Sequence, residues 1–174
     1  MGYVNDKFHL KGACYQATKV STDKYLFHQI LYDAKLRNIQ LYLVNQNTDI
    51  ENINIDYPAI MKPRFGSGSR DVFFINSDED LMKYIKKVKS LNEDFVLEQA
   101  AIGDEYSIDG AVIDGELQIT LLRKKIITPL PIRQPISSFA EMDDEMYSRV
   151  KKFMQKVVDV LDYSDCLVNA DLII

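Results

Sequence analysis

The chain has 174 residues, of which 47% are hydrophobic and 27% are charged, and its formal net charge is -5. This composition is typical of a globular domain, and the acidic balance argues against a broad nucleic-acid surface or nucleic-acid partner. The opening residues lack an export signal and no apolar run reaches the roughly 18–20 residues of a membrane span, so we expect a cytoplasmic protein without a membrane segment.

The first part of the chain predicts one helix and one short strand. Residues 1–20 show no clear periodicity. Thr22 and Asp23 offer an N-cap before apolar residues at helical spacing, so we expect a helix that ends near Asn38. A short strand at 41–44 and a polar linker follow.

The next part predicts a hairpin with an enlarged tip, and then a helix. Pro58 opens a short strand, and Pro63 ends it or confines it to a sheet edge. Residues 64–71, RFGSGSRD, form a glycine-serine loop, after which 72–75 return as a second strand. Ser77 is the expected N-cap of the helix, with an acid three residues later as its capping-box partner.

The second half of the chain predicts further antiparallel strands and one long helix. The predicted elements are a strand at 95–99, a hairpin at 105–113 and 116–123, a loop at 128–135, a helix spanning about 146–161 and a last strand from Cys166. Because hairpins alternate with single helices, the pattern indicates an α+β fold with antiparallel sheets and not a doubly wound parallel sheet.

The loop 64–71 is the strongest candidate for phosphate binding. Glycines let the backbone approach an anion, and serine hydroxyls with successive N–H groups can surround phosphate oxygens. Lys62, Arg64 and Arg70 supply cations beside it. The loop opens no helix and lacks the GxxxxGK[ST] pattern, which excludes a P-loop. The alternative is a flexible hairpin turn without a ligand.

Four strand carboxylates are candidates for metal or ribose binding: Glu98, Glu105, Asp109 and Asp171. Carboxylates beside apolar strand residues can bind Mg²⁺, which prefers oxygen ligands. The alternative for each is a solvated side chain on an open sheet face. Asp171 lies in the apolar run LVNADLII, so we expect it to be buried and to need a partner, which makes it a better ligand candidate than Glu98.

The remaining reactive residues predict no further catalytic centre. The histidines His9 and His28 form no Ser–His–Asp or Cys–His pattern, and we expect His28 to be packed or solvated within the first helix. Cys14 and Cys166 are expected to be free thiols. The lysine-rich segment 83–89 is expected to be the solvated face of a helix.

Three segments, taken in order, resemble the ATP-grasp superfamily, in the branch of biotin carboxylase, the carbamoyl-phosphate synthetase large subunit and amino-acid ligases. They are STDKY (21–25), YPAIMKPRFGSGSRDV (57–72) and FVLEQAAIGDEYSIDG (95–110). The resemblance implies an α+β ATP-grasp fold of two lobes with antiparallel sheets. It also implies three regions: a leading segment and helix of the larger lobe (1–39), a small lobe with a glycine-rich flap (40–101) and a truncated larger lobe (102–174).

The resemblance implies that the chain binds ATP and Mg²⁺. It also matches several residues of this chain to family positions that contact the ATP phosphates. Lys24 corresponds to the cation that reaches the phosphates from the start of the domain, and Lys62 to the lysine that contacts the α- and β-phosphates. The residues that correspond to the flap over the phosphates are Gly66, Ser67, Gly68 and Ser69.

The base, ribose and metal positions follow from the same resemblance. Glu98 corresponds to the residue that bonds the adenine amino group, and the backbone of Gln99 and Ala101 to the groups that read the ring edge. Glu105 is similar to the acid that holds the ribose hydroxyls. Asp171 aligns with the first acidic metal ligand.

The implied chemistry is formation of an acyl phosphate from a small carboxylate substrate, followed by its transfer to an amine or similar nucleophile. Positioning and charge neutralisation carry this kind of catalysis. Arg123 and Lys125 lie on a strand expected to face the cleft, where they would bind substrate or stabilise the transfer. The alternative for both is a solvated strand end.

The sequence also departs from the family pattern. Asp71 stands where relatives commonly have glycine, and Ala100 and Ala101 are small where bulkier apolar groups usually pack on adenine. A second metal-binding strand with a Glu-x-Asn pattern would follow Ile174, and the domain that precedes an ATP-grasp region is missing. We therefore expect a fragment of a larger ligase resembling carbamoyl-phosphate synthetase, with a homodimer left open as one assembly.

Two other functions stay open at this point. The first is a nucleotide-binding module that holds ATP without ligating anything, which Asp71 and the small adenine-site residues favour. The second is a structural α+β domain whose phosphate-like loop is coincidental, which the order of the three segments disfavours.

Overall fold

The computed structural model describes residues 1–66, 70–129 and 134–174, which fold into two compact units. The first, here the middle unit, is Val20–Ala101, and the second, the terminal unit, combines Met1–Lys19 with Ile102–Ile174. The helix that we assigned to the larger lobe falls within the middle unit. The three-region division of the sequence stays a prediction.

The elements follow one another in the predicted mixture of hairpins and single helices. The helices are α1 (Gly2–Phe8), α2 (Tyr15–Thr22), α3 (Lys24–Asp33), α4 (Asp78–Leu91) and α5 (Asp144–Leu161), with a 3-10 turn at Ile50–Asn52. The strands are β1 (Leu41–Val44), β2 (Ala59–Pro63), β3 (Phe73–Ile75), β4 (Phe95–Gln99), β5 (Glu105–Ile113), β6 (Glu116–Ile127), β7 (Pro135–Ala140) and β8 (Cys166–Ile173).

The middle unit contains an antiparallel sheet with the strand order β1-β4-β2-β3. Strands β2 and β3 form the predicted hairpin, with Ala59 opposite Ile75. Helix α4 begins at the predicted N-cap, since the Ser77 hydroxyl accepts a hydrogen bond from the Asp80 N–H at 3.2 Å. The apolar face of α4 and one face of the sheet share a core of fully or nearly fully buried side chains, listed here as Val44, Ala59, Met61, Ile75, Leu81, Ile85, Val88, Phe95 and Leu97.

The other face of this sheet carries the polar residues of β2 and β4. Glu98 pairs with Ile60 across the two strands, and Lys62 lies two residues further along β2. Because alternate strand residues point to the same side, Lys62 and Glu98 share one face, opposite to the core residues Met61 and Leu97. Helix α3 packs beside this sheet against β1.

The terminal unit contains a second antiparallel sheet with the strand order β7-β6-β5-β8. Helix α5 packs on β6, and its buried side chains are Val150, Met154, Val157, Val158 and Leu161. Gln155 fixes the contact, because its side chain accepts from the Leu117 N–H and donates to the Gly115 carbonyl. The exposed residues of β8 alternate with half-buried ones, so one face of this sheet is open.

Three local expectations differ from the structure. Helix α3 ends at Asp33 and not near Asn38, because the chain turns at Lys35, whose φ is 58°. Strand β6 continues to Ile127 and is joined by β7, an unpredicted edge strand that starts at Pro135. A proline is tolerated at the first residue of an edge strand, so Pro135 does not prevent this segment from forming one. The short helices α1 and α2 lie in the region without periodicity.

The α+β class with two antiparallel sheets is confirmed. Over the described ranges, no helix combines the length and the apolar character that crossing a bilayer requires. Residues 67–69 of the glycine-serine loop and 130–133 of the predicted loop lie outside the described residues.

Candidate functional site

Glu98 is the centre of a buried charge cluster in the middle unit. Its side chain is 8% exposed, and its two oxygens have separate partners. Oε1 accepts from Lys62 Nζ at 2.5 Å, and Oε2 accepts from Arg37 Nη2 at 2.8 Å. His28 Nε2 lies 3.5 Å from Oε2. A buried carboxylate requires such pairing, because an isolated charge is strongly disfavoured in a protein interior. We call these four residues the Glu98 cluster.

The cluster holds Glu98 ionised and His28 neutral. Burial by itself raises the pKa of Glu98, but the attraction of Lys62, His28 and Arg37 and the hydrogen bond from Lys62 outweigh it and lower the pKa to about 2. Burial lowers the pKa of His28 to about 3, against the opposing effect of Glu98 and with the help of the neighbouring cations. At neutral pH the charges that balance Glu98 are therefore those of Lys62 and Arg37.

Lys24 joins this cluster to the start of the glycine-serine loop. Its Nζ donates to the Gly66 carbonyl at 2.7 Å. Burial lowers the pKa of Lys24, and the nearby charge of Lys62 lowers it further. Gly66 has a φ of 93°, a conformation that favours glycine, although nothing lies within 4 Å of where a Cβ would be. Two ammonium groups thus lie close together beside a loop entrance, as the phosphate hypothesis expects.

The other loop residues occupy different surroundings from those we expected. Arg64 is not a spare cation, because its guanidinium is already paired with Asp23 and Asp94. Asp71 has a φ of 54°, which explains why glycine suits this position, and its carboxylate lies 4.0 Å from Lys87. The predicted flap residues Ser67, Gly68 and Ser69 lie outside the described residues.

The end of β4 is held by the backbone. The Gln99 N–H donates to the Gln40 carbonyl at 3.2 Å, and the Ala100 N–H donates to the Pro58 carbonyl at 2.8 Å. Ala101 follows directly and is half-buried. Gln99 and Ala101 therefore lie next to Glu98 along the chain at a fixed position, and their predicted part in reading an adenine ring stays a prediction.

The expected burial of Asp171 is wrong. Its side chain is 68% exposed, because it lies on the open face of β8 and not on the face toward α5. Its Oδ1 accepts a hydrogen bond from Lys125 Nζ at 2.5 Å. The relative burial of the two acids is the reverse of our expectation, since Glu98 is the buried one.

Arg123 occupies the same open face, two residues from Lys125. Its Nη2 lies 2.5 Å from Asp109 Oδ2, and its Nε donates to the Ser107 hydroxyl at 3.3 Å. Asp109 also accepts from Asn169 Nδ2 at 2.6 Å. Because Ser107 pairs with Arg123 on one side and with Asp171 on the other, it lies between the two ion pairs.

Glu105 belongs to this face as well. It lies two residues before Ser107 on β5, so its side chain is on the same side of the sheet. A cavity of about 270 Å³ opens where β5, β6 and β7 run side by side. The residues that line it are Ser107, Arg123, Lys125, Pro135, Ile136, Ser137 and Ser138. We call this set, with Asp109, Asn169 and Asp171, the open-face site.

The open-face site provides oxygen donors for a hard cation without forming a closed metal site. In residues 1–66, 70–129 and 134–174, no three His, Cys, Asp or Glu side chains group as metal ligands. The carboxylate of Asp171 and the amide oxygen of Asn169 are the donor types that Mg²⁺ prefers, and that ion usually keeps several ligands from water or phosphate. The donor set therefore fits Mg²⁺ bound together with a phosphate.

Sequence reasoning missed Arg37, Ser107 and Asn169. Arg37 reaches Glu98 across 61 positions of sequence, and no local pattern marks that contact. Ser107 and Asn169 share their strands with predicted residues, so a period-2 reading of β5 and β8 from Glu105 and Asp171 would have included them.

Comparison with solved structures identifies the fold. No protein-family model matches the chain. The L-amino acid ligase of Bacillus licheniformis matches 99% of this chain with a TM-score of 0.84 and 18% identity, over 44% of its own length. The D-alanine–D-alanine ligase of Bacillus anthracis, in complex with ATP, matches 99% with a TM-score of 0.73 and 16% identity, over 58% of its length.

A third match is the phosphoribosylglycinamide synthetase of Anaerococcus prevotii, with a TM-score of 0.72 and 17% identity over 99% of this chain and 44% of that one. The chain thus spans about half the length of the structures that it matches. These structural matches, together with the two antiparallel sheets, show that the chain has the ATP-grasp fold.

Proposed function

We propose that this chain is the ATP-binding part of an ATP-dependent ligase that activates a small carboxylate as an acyl phosphate and transfers it to an amine or similar nucleophile. The observation that supports this most directly is the Glu98 cluster, in which a buried carboxylate is ionised and paired with Lys62, together with Lys24, which contacts the start of the glycine-serine loop. Two of the matched structures are named as amino-acid ligases, and one of them is an ATP complex.

In this proposal Glu98 selects the base. Its carboxylate is an acceptor for the exocyclic amino group of adenine, whereas guanine presents a carbonyl acceptor at the corresponding ring position. A buried acceptor facing another acceptor would leave both unsatisfied, which is strongly unfavourable. Gln99 and Ala101, next to Glu98, would contact the ring edge, and Glu105 would hold the ribose hydroxyls.

The two lysines would bind the phosphates. Lys62 and Lys24 carry adjacent positive charges, and a triphosphate offsets the repulsion between them. Gly66 and the loop residues Ser67, Gly68 and Ser69 would complete the contact through backbone N–H groups.

The open-face site would carry the chemistry. Arg123 and Lys125 are cations next to a cavity, which suits an anionic substrate or a transferred phosphoryl group. Asp171, with Asn169, would hold Mg²⁺, which when bound neutralises charge on the phosphate oxygens. The chain's own part is to orient the substrate carboxylate through these cations and the serine hydroxyls around them.

In its finer form, the proposal is a cytoplasmic ligase that resembles carbamoyl-phosphate synthetase, with a homodimer left open as one assembly. The alternative function is a nucleotide-binding module without ligase activity. Asp71 at a position suited to glycine and the small side chain of Ala101 favour this alternative.

Calorimetric titration with Mg-ATP, Mg-GTP and adenosine tests the nucleotide site. We expect Glu98→Gln to weaken ATP binding and reduce the preference over GTP, and Lys62→Met to weaken ATP more than adenosine. Lys86→Met, which removes an exposed lysine of α4, is the matched control and should change neither. Equal affinities for ATP and GTP in the unmodified chain, or no effect of either site variant, would refute the site.

Phosphate release separates the ligase from the module. The protein is incubated with Mg-ATP and a panel of small carboxylates and amines. A ligase releases phosphate only when a particular carboxylate and nucleophile are both present. Tight ATP binding without release for any pair would refute the ligase assignment and leave the module.

A further inference from the structure

The strongest unassigned feature is a three-residue ion cluster at the base of the glycine-serine loop. Arg64 Nε donates to Asp23 Oδ1 at 2.9 Å and its Nη2 to Asp23 Oδ2 at 2.6 Å, which is a bidentate pair. Its Nη1 donates to Asp94 Oδ2 at 3.0 Å. The side chain of Asp23 is 5% exposed and that of Arg64 is 23% exposed, so the pair is largely removed from water.

Asp23 also stabilises the start of helix α3. It is the N-cap of α3, and its Oδ1 accepts from the Leu26 N–H at 3.1 Å. The hydrogen bonds from Arg64 lower the pKa of Asp23, so the cap stays ionised. An ionised carboxylate suits the positive end of a helix, and the arginine fixes where that end lies.

The backbone of Arg64 holds the same elements as its side chain. Its carbonyl accepts from the Lys24 N–H at 3.1 Å, and its N–H donates to the Asp94 carbonyl at 2.9 Å. The guanidinium also lies near the rings of Tyr25 and Phe65, at 5.7 and 5.2 Å from their centroids. Arg64 therefore connects the start of α3, the end of β2 and the start of β4.

The neighbours of this cluster are proposed phosphate ligands. Lys24 follows Asp23 directly, and its Nζ reaches the carbonyl of Gly66, two residues after Arg64. The cluster therefore determines where the Lys24 ammonium and the loop entrance lie relative to each other. Arg64 itself has its donors engaged with two carboxylates, so it does not need a phosphate to balance its charge.

We propose that Arg64 is a positioning residue for the phosphate end of the nucleotide site, acting through Asp23 on Lys24 and the loop entrance. The inference rests on the proposed nucleotide site and adds a residue that touches no nucleotide atom. It separates the roles of three neighbouring cations: Lys24 and Lys62 would bind phosphate, and Arg64 would hold Lys24 in place. Glu98, the proposed base contact, shares no hydrogen bond or ion pair with this cluster among the described contacts.

The test compares ATP with adenosine, by calorimetry, in Arg64→Met and Arg64→Lys. We expect Arg64→Met to weaken ATP roughly tenfold, the size of one charged hydrogen bond to a ligand, and adenosine less than twofold. Arg64→Lys should recover part of the loss, because it keeps the charge but not the bidentate geometry. Arg149→Met, which removes an exposed arginine of α5, is the control and should change neither affinity.

A double-mutant cycle shows whether the effect passes through Lys24. If it does, Arg64→Met should cost clearly less ATP affinity in a Lys24→Met background than in the unmodified chain. Equal losses for ATP and adenosine, or full additivity with Lys24→Met, would overturn the positioning role. If Arg64→Met does not fold by circular dichroism, the same comparisons on Arg64→Lys decide the question.

The two proposals fail in different ways. An unmodified chain without ATP affinity would refute the nucleotide site. An unmodified chain that binds ATP through Lys62 and Glu98, with no selective ATP loss in either Arg64 variant, would refute only the positioning role.

Discussion

Replacement of Glu98 by glutamine should make the middle unit less stable at neutral pH and less sensitive to acid. The change leaves Lys62 and Arg37, which are mostly buried, facing each other without the carboxylate that separates them. In the folded chain the pKa of Glu98 is about 2, below its ordinary value of 4.5. The lowered pKa means that this contribution to stability is fully present above about pH 4.5 and is lost as pH falls toward 2.

The size of the stability change follows from the folded and ordinary pKa values of Glu98. A difference of about 2.5 between the folded and unfolded pKa of Glu98 corresponds to roughly 3 kcal/mol of stability. His28 also lies near Glu98, and its attraction is part of what lowers the Glu98 pKa, so the comparison with Glu98→Gln includes this contribution.

Urea unfolding from pH 7 to pH 2.5 is the assay. The difference in unfolding free energy between the unmodified chain and Glu98→Gln should be about 3 kcal/mol near pH 7 and shrink below pH 4.5. Glu93→Gln removes an exposed acid of the same unit and should show little difference at any pH. A Glu98→Gln difference that stays constant down to pH 2.5 would refute the buried ion-pair reasoning.

Three further predictions concern other parts of the fold. Gly110→Ala should destabilise the terminal unit by several kcal/mol in thermal or urea unfolding, because a Cβ would lie 2.5 Å from the Gln118 carbonyl oxygen, and a change under about 1 kcal/mol would contradict it. Ser77→Ala should cost about 1 kcal/mol of unfolding free energy through the lost N-cap of α4, whereas Ser90→Ala, near the other end of that helix, should cost less. Asp171→Asn should weaken the dependence of ATP binding on Mg²⁺ concentration without changing adenosine affinity, and an unchanged Mg²⁺ dependence would argue against a metal role.

Sequence reasoning succeeded where local rules determine the structure. The β2–β3 hairpin, the Ser77 cap and the turn at Asp114-Gly115 follow from proline, serine and glycine positions that act over a few residues. The antiparallel α+β class followed from the order of those elements. These features depend little on what the rest of the chain does.

Sequence reasoning was wrong where long-range packing determines which face of a strand is buried. Glu98 and Asp171 both lie in apolar runs, and the sequence cannot tell which side of each strand is covered. In the structure Glu98 lies on the side occupied by Arg37 and His28, whereas Asp171 lies on the open side of its sheet. A prediction of burial from neighbouring residues alone therefore reversed the two.

Strand β7 was not predicted, for a related reason. Its residues from Pro135 onward are all exposed, so they show neither the alternation nor the apolar run that marks a strand. They form a strand because β6 extends far enough for them to pair with its free edge.

The pairing of Lys62 with Glu98 has a consequence for which molecules the nucleotide site would accept. An inorganic anion that takes Lys62 away would leave the buried carboxylate with one cation fewer, and an uncharged base that approaches Glu98 would have to displace an ammonium group. Only a ligand with an amino donor at one end and phosphates at the other satisfies both groups at once. The two residues would thus favour whole nucleotides over either of their separate halves.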